Sequence, residues 1–176
     1  MKDNYETSGQ QYVTFRLEKE LFGVAVARVK EILSLTPITQ IPQTPDYMLG
    51  VINLRGQVVP VIDMRRKMGL VAAGETEETC IIVVDVQVDG EVITVGALAD
   101  AVREVMDIRS DQIEPPPKLG SRLKTAFITG MGKINDQFII LLNIDRIFST
   151  DELVLVQDVS SRQISAEEAL EELVGA

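Results

Sequence analysis

The chain contains no histidine. That removes the commonest general base, the commonest metal ligand and every Ser-His or Cys-His nucleophile arrangement. No Gly-rich loop runs into Lys-Ser/Thr, and no paired glycines stand between a strand and a helix, so no phosphate cradle is encoded. The single cysteine, Cys80, cannot form an intramolecular disulfide. Its neighbours Ile81 and Ile82 make it a small core residue rather than a reactive thiol. Asp85, Asp100 and Asn143 interrupt the longest apolar runs, and Met1 to Gln11 is polar with no apolar signal region. Positive charge is scarce: 17 Lys and Arg against 27 Asp and Glu give a net charge of -10. Phosphate neutralisation needs the opposite balance, which argues against nucleic acid as a partner. These absences predict a soluble protein of a reducing cytoplasm, with no metal or cofactor, no nucleic-acid partner and no direct membrane insertion.

What is present is repetition. Gly23-Val24-Ala25-Val26-Ala27-Arg28-Val29-Lys30-Glu31-Ile32-Leu33 reads against Gly96-Ala97-Leu98-Ala99-Asp100-Ala101-Val102-Arg103-Glu104-Val105-Met106, at an offset of 73 (96 minus 23). Gly50 to Arg66 reads against Gly130 to Arg146, at an offset of 80 (130 minus 50). Gly50/Gly130, Gln57/Gln137 and Arg66/Arg146 are identical there. Two matches in one order at nearly one offset predict an internal duplication. A length of 176 residues with 45% hydrophobic residues suits two small halves with a core.

The local signals are mostly strand. Tyr12 to Leu17 alternates, Glu18-Lys19-Glu20 is a polar turn, and Leu21 resumes an apolar run. Pro37 and Pro42 keep Leu33 to Ile41 extended, as an edge strand or irregular segment. Thr44-Pro45-Asp46 predicts a short helix stopped by Gly50. Val51 to Asn53 and Val58 to Ile62 are strands around a turn at Leu54-Arg55-Gly56-Gln57, and Asp63 caps a short helix closed by Gly69. The second half repeats the plan: strands over Ile81 to Val88 and Glu91 to Ala97 around Asp89-Gly90, then Phe127 to Met131 and Phe138 to Leu142 around Asn135-Asp136. Pro115-Pro116-Pro117 is an extended connector, and Asn143 takes the place of Asp63 as a cap. Ser165-Ala166-Glu167-Glu168 is a capping box opening a C-terminal helix with a stripe of Leu170, Leu173 and Val174. The pattern predicts an all-β protein of two tandem barrels of about five strands, over residues 11–72 and 79–150, packed with a groove between them, and a C-terminal helix over 164–174.

Charge is uneven. From Asp151 onward seven acids face only Arg162, so this tail carries -6 of the -10. Arg55, Arg65, Arg66 and Lys67 form a basic island relieved by Asp63, with the last three expected on a solvated helix face. Arg55 stands at a strand-connecting turn, where a guanidinium can grip a partner's carboxylate or pair with Asp63 or Glu31. Gly56 and Gly50 suit positions of positive φ. Asp63, Asp85 and Glu104 are the candidates for a carboxylate-only hydrolase, but nothing in their spacing pairs them.

The run Leu49-Gly50-Val51-Ile52-Asn53-Leu54-Arg55-Gly56-Gln57-Val58-Val59-Pro60-Val61-Ile62-Asp63-Met64-Arg65 resembles the bacterial chemotaxis coupling protein family CheW. Val29-Lys30-Glu31-Ile32, Asp111-Gln112-Ile113-Glu114-Pro115 and Leu142-Asn143-Ile144-Asp145 extend the resemblance from about Tyr12 to Leu155. It implies one CheW-like domain of tandem SH3-like barrels, without enzymatic activity or cofactor. It implies a scaffold of two-component signal transduction that joins chemoreceptor cytoplasmic tips to the regulatory domain of the histidine kinase CheA. The protein would be cytoplasmic, recruited to membrane-receptor arrays and monomeric alone. The resemblance places receptor contact at Val29, Glu31, Arg55 and Gly56, with Val29 and Glu31 sharing one strand face. Ile38 and Ile41, on their proline-flanked edge, are the candidates for contact with the kinase. A CheW-like portion of CheA or of CheV is the alternative; Met1 and the capped final helix suggest a complete adaptor.

Overall fold

The computed structural model describes residues 9–70, 74–88, 90–116 and 127–147. The expected helix over 164–174 lies outside them. In the first half, β1 (Gln10–Leu17) and β2 (Glu20–Ala25) form a hairpin. A single 3-10 turn, Val26–Arg28, leads to β3 (Val29–Ser34). Then come β4 (Met48–Leu54), β5 (Gln57–Asp63) and the short helix α1 (Met64–Lys67). The second half has β6 (Cys80–Val88), β7 (Glu91–Ala99), β8 (Ala101–Ile108), the two-residue β9 (Ile113–Glu114), β10 (Ile128–Ile134) and β11 (Gln137–Leu142). Both expected caps form. Asp63 accepts from the Arg65 amide, and Asn143 accepts from the Asp145 amide at the 3-10 turn Ile144–Arg146.

Thr44-Pro45-Asp46 does not start a helix. The Met48 amide donates to the Pro45 carbonyl at 2.9 Å in a turn, and β4 begins at once. Tertiary pairing overrides the local signal. Thr39 crosses the edge of β4 and exchanges two backbone hydrogen bonds of 2.9 Å with Val51. Gly50 lies under that crossing, inside the strand: a Cβ there would meet the Thr39 carbonyl oxygen at 2.1 Å, and its φ is +146°. It marks a register shift in β4, not a helix stop.

The strands form two sheets, in the orders β8-β1-β2-β11-β10-β9 and β3-β6-β7-β5-β4. Neither sheet comes from one contiguous half. The boundaries expected at 11–72 and 79–150 do not coincide with them, because β1 and β2 join the later strands while β6 and β7 join the earlier ones. Connector length explains this. β8 and β2 are both antiparallel to β1, so they run parallel to each other. For β3 to occupy that place beside its own β1, the chain would have to return a full strand length, and parallel connections need about a dozen residues or more. Only Val26–Arg28 separates β2 from β3, and only Asp100 separates β7 from β8. Each strand therefore runs on into the opposite sheet.

The exchange is reciprocal and keeps register. Gly23 faces Leu141 in the parallel pairing of β2 with β11. Its counterpart Gly96 faces Val61 in the pairing of β7 with β5. Leu141 is the counterpart of Val61 (61 plus 80), so the sequence repeat is also a structural one. Strand alternation then builds three buried layers. Phe15, Leu17, Phe22 and Val24 of one sheet meet Ile62, Ile82, Val84, Val86 and Val95 of the other. This shared layer fills the space where a groove between barrels was expected. The opposite faces line separate interiors: Ile52, Val59, Val61, Ile81, Val83 and Leu98 in one, and Tyr12, Ile108, Ile139 and Leu141 in the other. Each such aliphatic side chain contributes roughly 1.5–3 kcal/mol when fully buried.

Candidate docking site at the β4–β5 turn

Arg55 and Gly56 are the two central residues of the tight turn joining β4 to β5, with φ of +50° and +85°. Positive φ at both positions is what the right-handed twist of a two-residue hairpin requires. The Asn53 side chain accepts from the Gly56 amide at 2.8 Å and fixes the turn. The Arg55 side chain is 74% exposed, yet its orientation is set. Its guanidinium makes a two-point contact with the Glu31 carboxylate of β3. That hydrogen bond, and then the charge of Glu31, outweigh desolvation and hold the Arg55 pKa above its ordinary value. Lys30, Leu54 and Gln57 complete a shallow depression around the pair.

The repeat supplies an internal comparison. Glu104, Asn135 and Gln137 are the counterparts of Glu31, Arg55 and Gln57, and they line one depression in the second half. Its turn also has positive φ, at Asn135 and Asp136. The arginine is absent there, so the turn cation belongs to the first half.

The other expected contact residues do not converge on Arg55. Val29 and Glu31 do not share a face, because the register of β3 shifts between them: Val29 pairs with Val84, and Glu31 with Val83. Val84 belongs to the shared layer and Val83 to the neighbouring interior. The intervening Lys30 is bulged, and Val29 packs, half-buried, against the shared layer. Ile38 and Ile41 lie on the segment that crosses β4. Ile38 packs partly against the interior containing Val59, and Ile41 partly against the shared layer.

Arg65 departs from the expected solvated face. Its side chain is only 4% exposed. It donates to Asp63 at 3.0 and 3.1 Å and to Asp100 at 2.8 Å. Asp100 also accepts from the Glu18 amide at 2.7 Å, which ties the β1–β2 turn to the cluster. The hydrogen bond to Asp63 leads the causes that raise the Arg65 pKa, against an opposing desolvation. The expectation failed because the helix is one turn long and Asp100 lies 35 residues away. Arg66, by contrast, is exposed. The three carboxylates considered for catalysis are in unrelated settings. Asp63 is buried on Arg65, Asp85 accepts from Thr94 at 3.0 Å, and Glu104 is exposed on β8. Among the described residues, no cluster of three or more His, Cys, Asp or Glu could hold a metal ion, and no helix is long and apolar enough to cross a membrane. Cys80 is buried, and burial pushes its thiol pKa up.

Comparison with known proteins gives these features a family. A model of the CheW-like domain matches residues 11–169. The chain belongs to the CheW family. Chemotaxis protein CheW of Klebsiella aerogenes is 36% identical over 155 residues, covering 88% of this chain and 91% of that protein. CheW of Rhizobium meliloti is 37% identical over 144 residues, covering 82% and 90%. The crystal structure of the scaffolding protein TtCheW from Thermoanaerobacter tengcongensis matches with a TM-score of 0.72 at 36% identity, over 81% of this chain and 94% of that one. That CheW has two SH3-like β-barrel subdomains, and the two sheets described here share this architecture.

Proposed function

We propose that this chain is a non-enzymatic chemotaxis adaptor, coupling transmembrane chemoreceptors to the histidine kinase CheA in a signalling array on the cytoplasmic side of the membrane. The observation that carries the reading is the Arg55 turn: an exposed guanidinium, oriented by Glu31, on a CheW-family frame. A flexible arginine loses side-chain entropy when it docks, and one already oriented loses less. The charge fits a carboxylate on the receptor tip. Glu31, Arg55 and Gly56 form this receptor contact, with Val29 supporting β3 from beneath. The edge carrying Ile38 and Ile41 offers a second contact, to the regulatory domain of CheA, through whatever part of those side chains its own barrel leaves open.

The test is Arg55→Ala in a pull-down with a receptor cytoplasmic fragment and CheA. Receptor affinity falls about 30-fold, the equivalent of roughly 2 kcal/mol for a lost interface anchor. CheA capture through the Ile38 edge persists, and stability changes by no more than about 0.5 kcal/mol. Unchanged receptor binding together with a large fall in melting temperature would make Arg55 a structural residue and remove the basis of the proposal.

A further inference from the structure

Two ion clusters stand where the chain crosses from one sheet to the other. At the first crossing, Arg28 pairs with Asp145 and donates to the Asp85 carbonyl at 3.0 and 3.2 Å. The Gln87 amide donates to the same Asp145 carboxylate at 2.8 Å. At the second crossing, Asp100 pairs with Arg65 at 2.8 Å. Positions 65 and 145 are counterparts in the repeat (65 plus 80), and they carry opposite charges. The crossings are reversed as well: Ala27-Arg28 is the counterpart of Asp100-Ala101 (27 plus 73, 28 plus 73). Each cluster therefore joins a crossing of one repeat to a residue two or three positions after the last strand of the other.

The reversal has an energetic consequence. The two halves share one strand frame, so a half could in principle be completed by its own kind from a second copy of the chain, a form of domain swapping. In that assembly Arg28, one residue from the counterpart of Asp100, would stand beside Arg65 with its Asp63, and Asp100 would stand beside Asp145 with no cation between them. Like charges held together at a buried or half-buried site are strongly unfavourable. We propose that the two reversed clusters are a charge key: they pair the first repeat with the second inside one chain and reject a second copy of the same repeat. This gives the chain an attractive element for the right pairing and a repulsive one for the wrong pairing.

The full-length chain allows a rescue test. Asp63→Asn, Arg65→Asp, Asn143→Asp and Asp145→Arg together exchange the residues at and just after the ends of β5 and β11. A carboxylate at position 65 then faces Asp100, and a guanidinium at position 145 faces Arg28. Expected are a fall in melting temperature of roughly 10 °C and a shift from monomer toward dimer in light scattering. Adding Ala27→Asp, Arg28→Ala, Asp100→Ala and Ala101→Arg completes the exchange and recovers most of the lost melting temperature and the monomer. If the four-residue variant does not fold, recovery of folding in the eight-residue variant is the deciding measurement. A four-residue variant that melts like the natural chain overturns the key. So does an eight-residue variant no more stable than the four-residue one.

Discussion

Arg65 and Arg66 are neighbours of identical chemistry, and the structure predicts very different consequences for Arg65→Met and Arg66→Met. Arg65 is 4% exposed and neutralises two buried carboxylates, with Asp63 at 2% and Asp100 at 6%. Removing one partner from a buried ion cluster costs about 3–5 kcal/mol, because the remaining charge is left without compensation. Here Asp100 loses its cation and Asp63 its nearer one, although each keeps a backbone donor: Asp63 the residue-65 amide and Asp100 the Glu18 amide. Those donors place the expected loss near the middle of the range, about 4 kcal/mol. For a chain of this size the melting temperature should fall by roughly 8–16 °C. Arg66 approaches Asp63 only at 3.6 Å and is 49% exposed. Its removal should cost about 0.5 kcal/mol or less. The assay is urea denaturation at pH near 7, followed by tryptophan-independent far-ultraviolet circular dichroism, since the chain has no Trp. Asp100→Asn added to Arg65→Met should recover part of the loss, because an amide oxygen still accepts from Glu18 without a charge. Equal effects for the two arginine variants, or an Arg65→Met loss under about 1 kcal/mol, would refute the argument that burial decides.

Gly50→Ala should destabilise by about 2 kcal/mol or more, read by the same denaturation curves, because its φ of +146° strains any Cβ and Thr39 occupies the space. At Asp145, burial pushes the carboxyl pKa up, but hydrogen bonds from Arg28 and Gln87 and the Arg28 charge outweigh it, so the folded value lies below the ordinary 3.8. The pair's stabilisation is then complete above the ordinary carboxyl range and is lost as pH falls through the lowered folded value. The melting-temperature gap between the natural chain and Asp145→Asn should accordingly be constant near neutral pH and close in strong acid. A gap that widens in acid would refute that assignment. A chain ending at Arg162 should retain its β-sheet circular dichroism spectrum, because the short amphipathic segment from Ser165 reads as an appendage; loss of the spectrum would make that segment part of the core.

Most single elements were legible in the sequence, because their signals are local. The alternation in Tyr12 to Leu17, the turn at Arg55-Gly56 and the caps at Asp63 and Asn143 each depend on a few adjacent residues. What failed depends on distant partners. Thr44-Pro45 carries a genuine helix-start signal, yet the pairing of Thr39 with Val51 draws the following residues into a strand. Val29 and Glu31 look in phase until the shift opposite Val83 and Val84 is known. Arg65 looks solvated until Asp100 arrives from the second half. The sheet exchange was not legible: the repeat was visible, but the strand ends that leave only residues 26–28 and 100 as connectors are set by the pairing of distant strands. Short connectors rule out a parallel return but not an antiparallel meander, so the exchange is decided by which distant strands pair.

The same exchange bears on how such a chain could transmit a signal. Arg55 follows directly on the last residue of β4, and Thr39, between Ile38 and Ile41, is bonded to Val51 in the middle of that strand. The two proposed contact regions are thus attached to one strand of seven residues. Besides that bridge to Thr39, β4 pairs with β5 among the described strands, and β5 runs beside β7 of the second half. Asp63 at the end of β5 meets Asp100, just past the end of β7, through Arg65. The Arg55 turn is therefore connected along β4 to the Ile38 edge, and through β5 to the other repeat. Tandem barrels joined by a free linker would rotate about that linker. With two crossing strands and a shared buried layer, relative movement of the two barrels would break core contacts, a rigidity that suits the adaptor role proposed above.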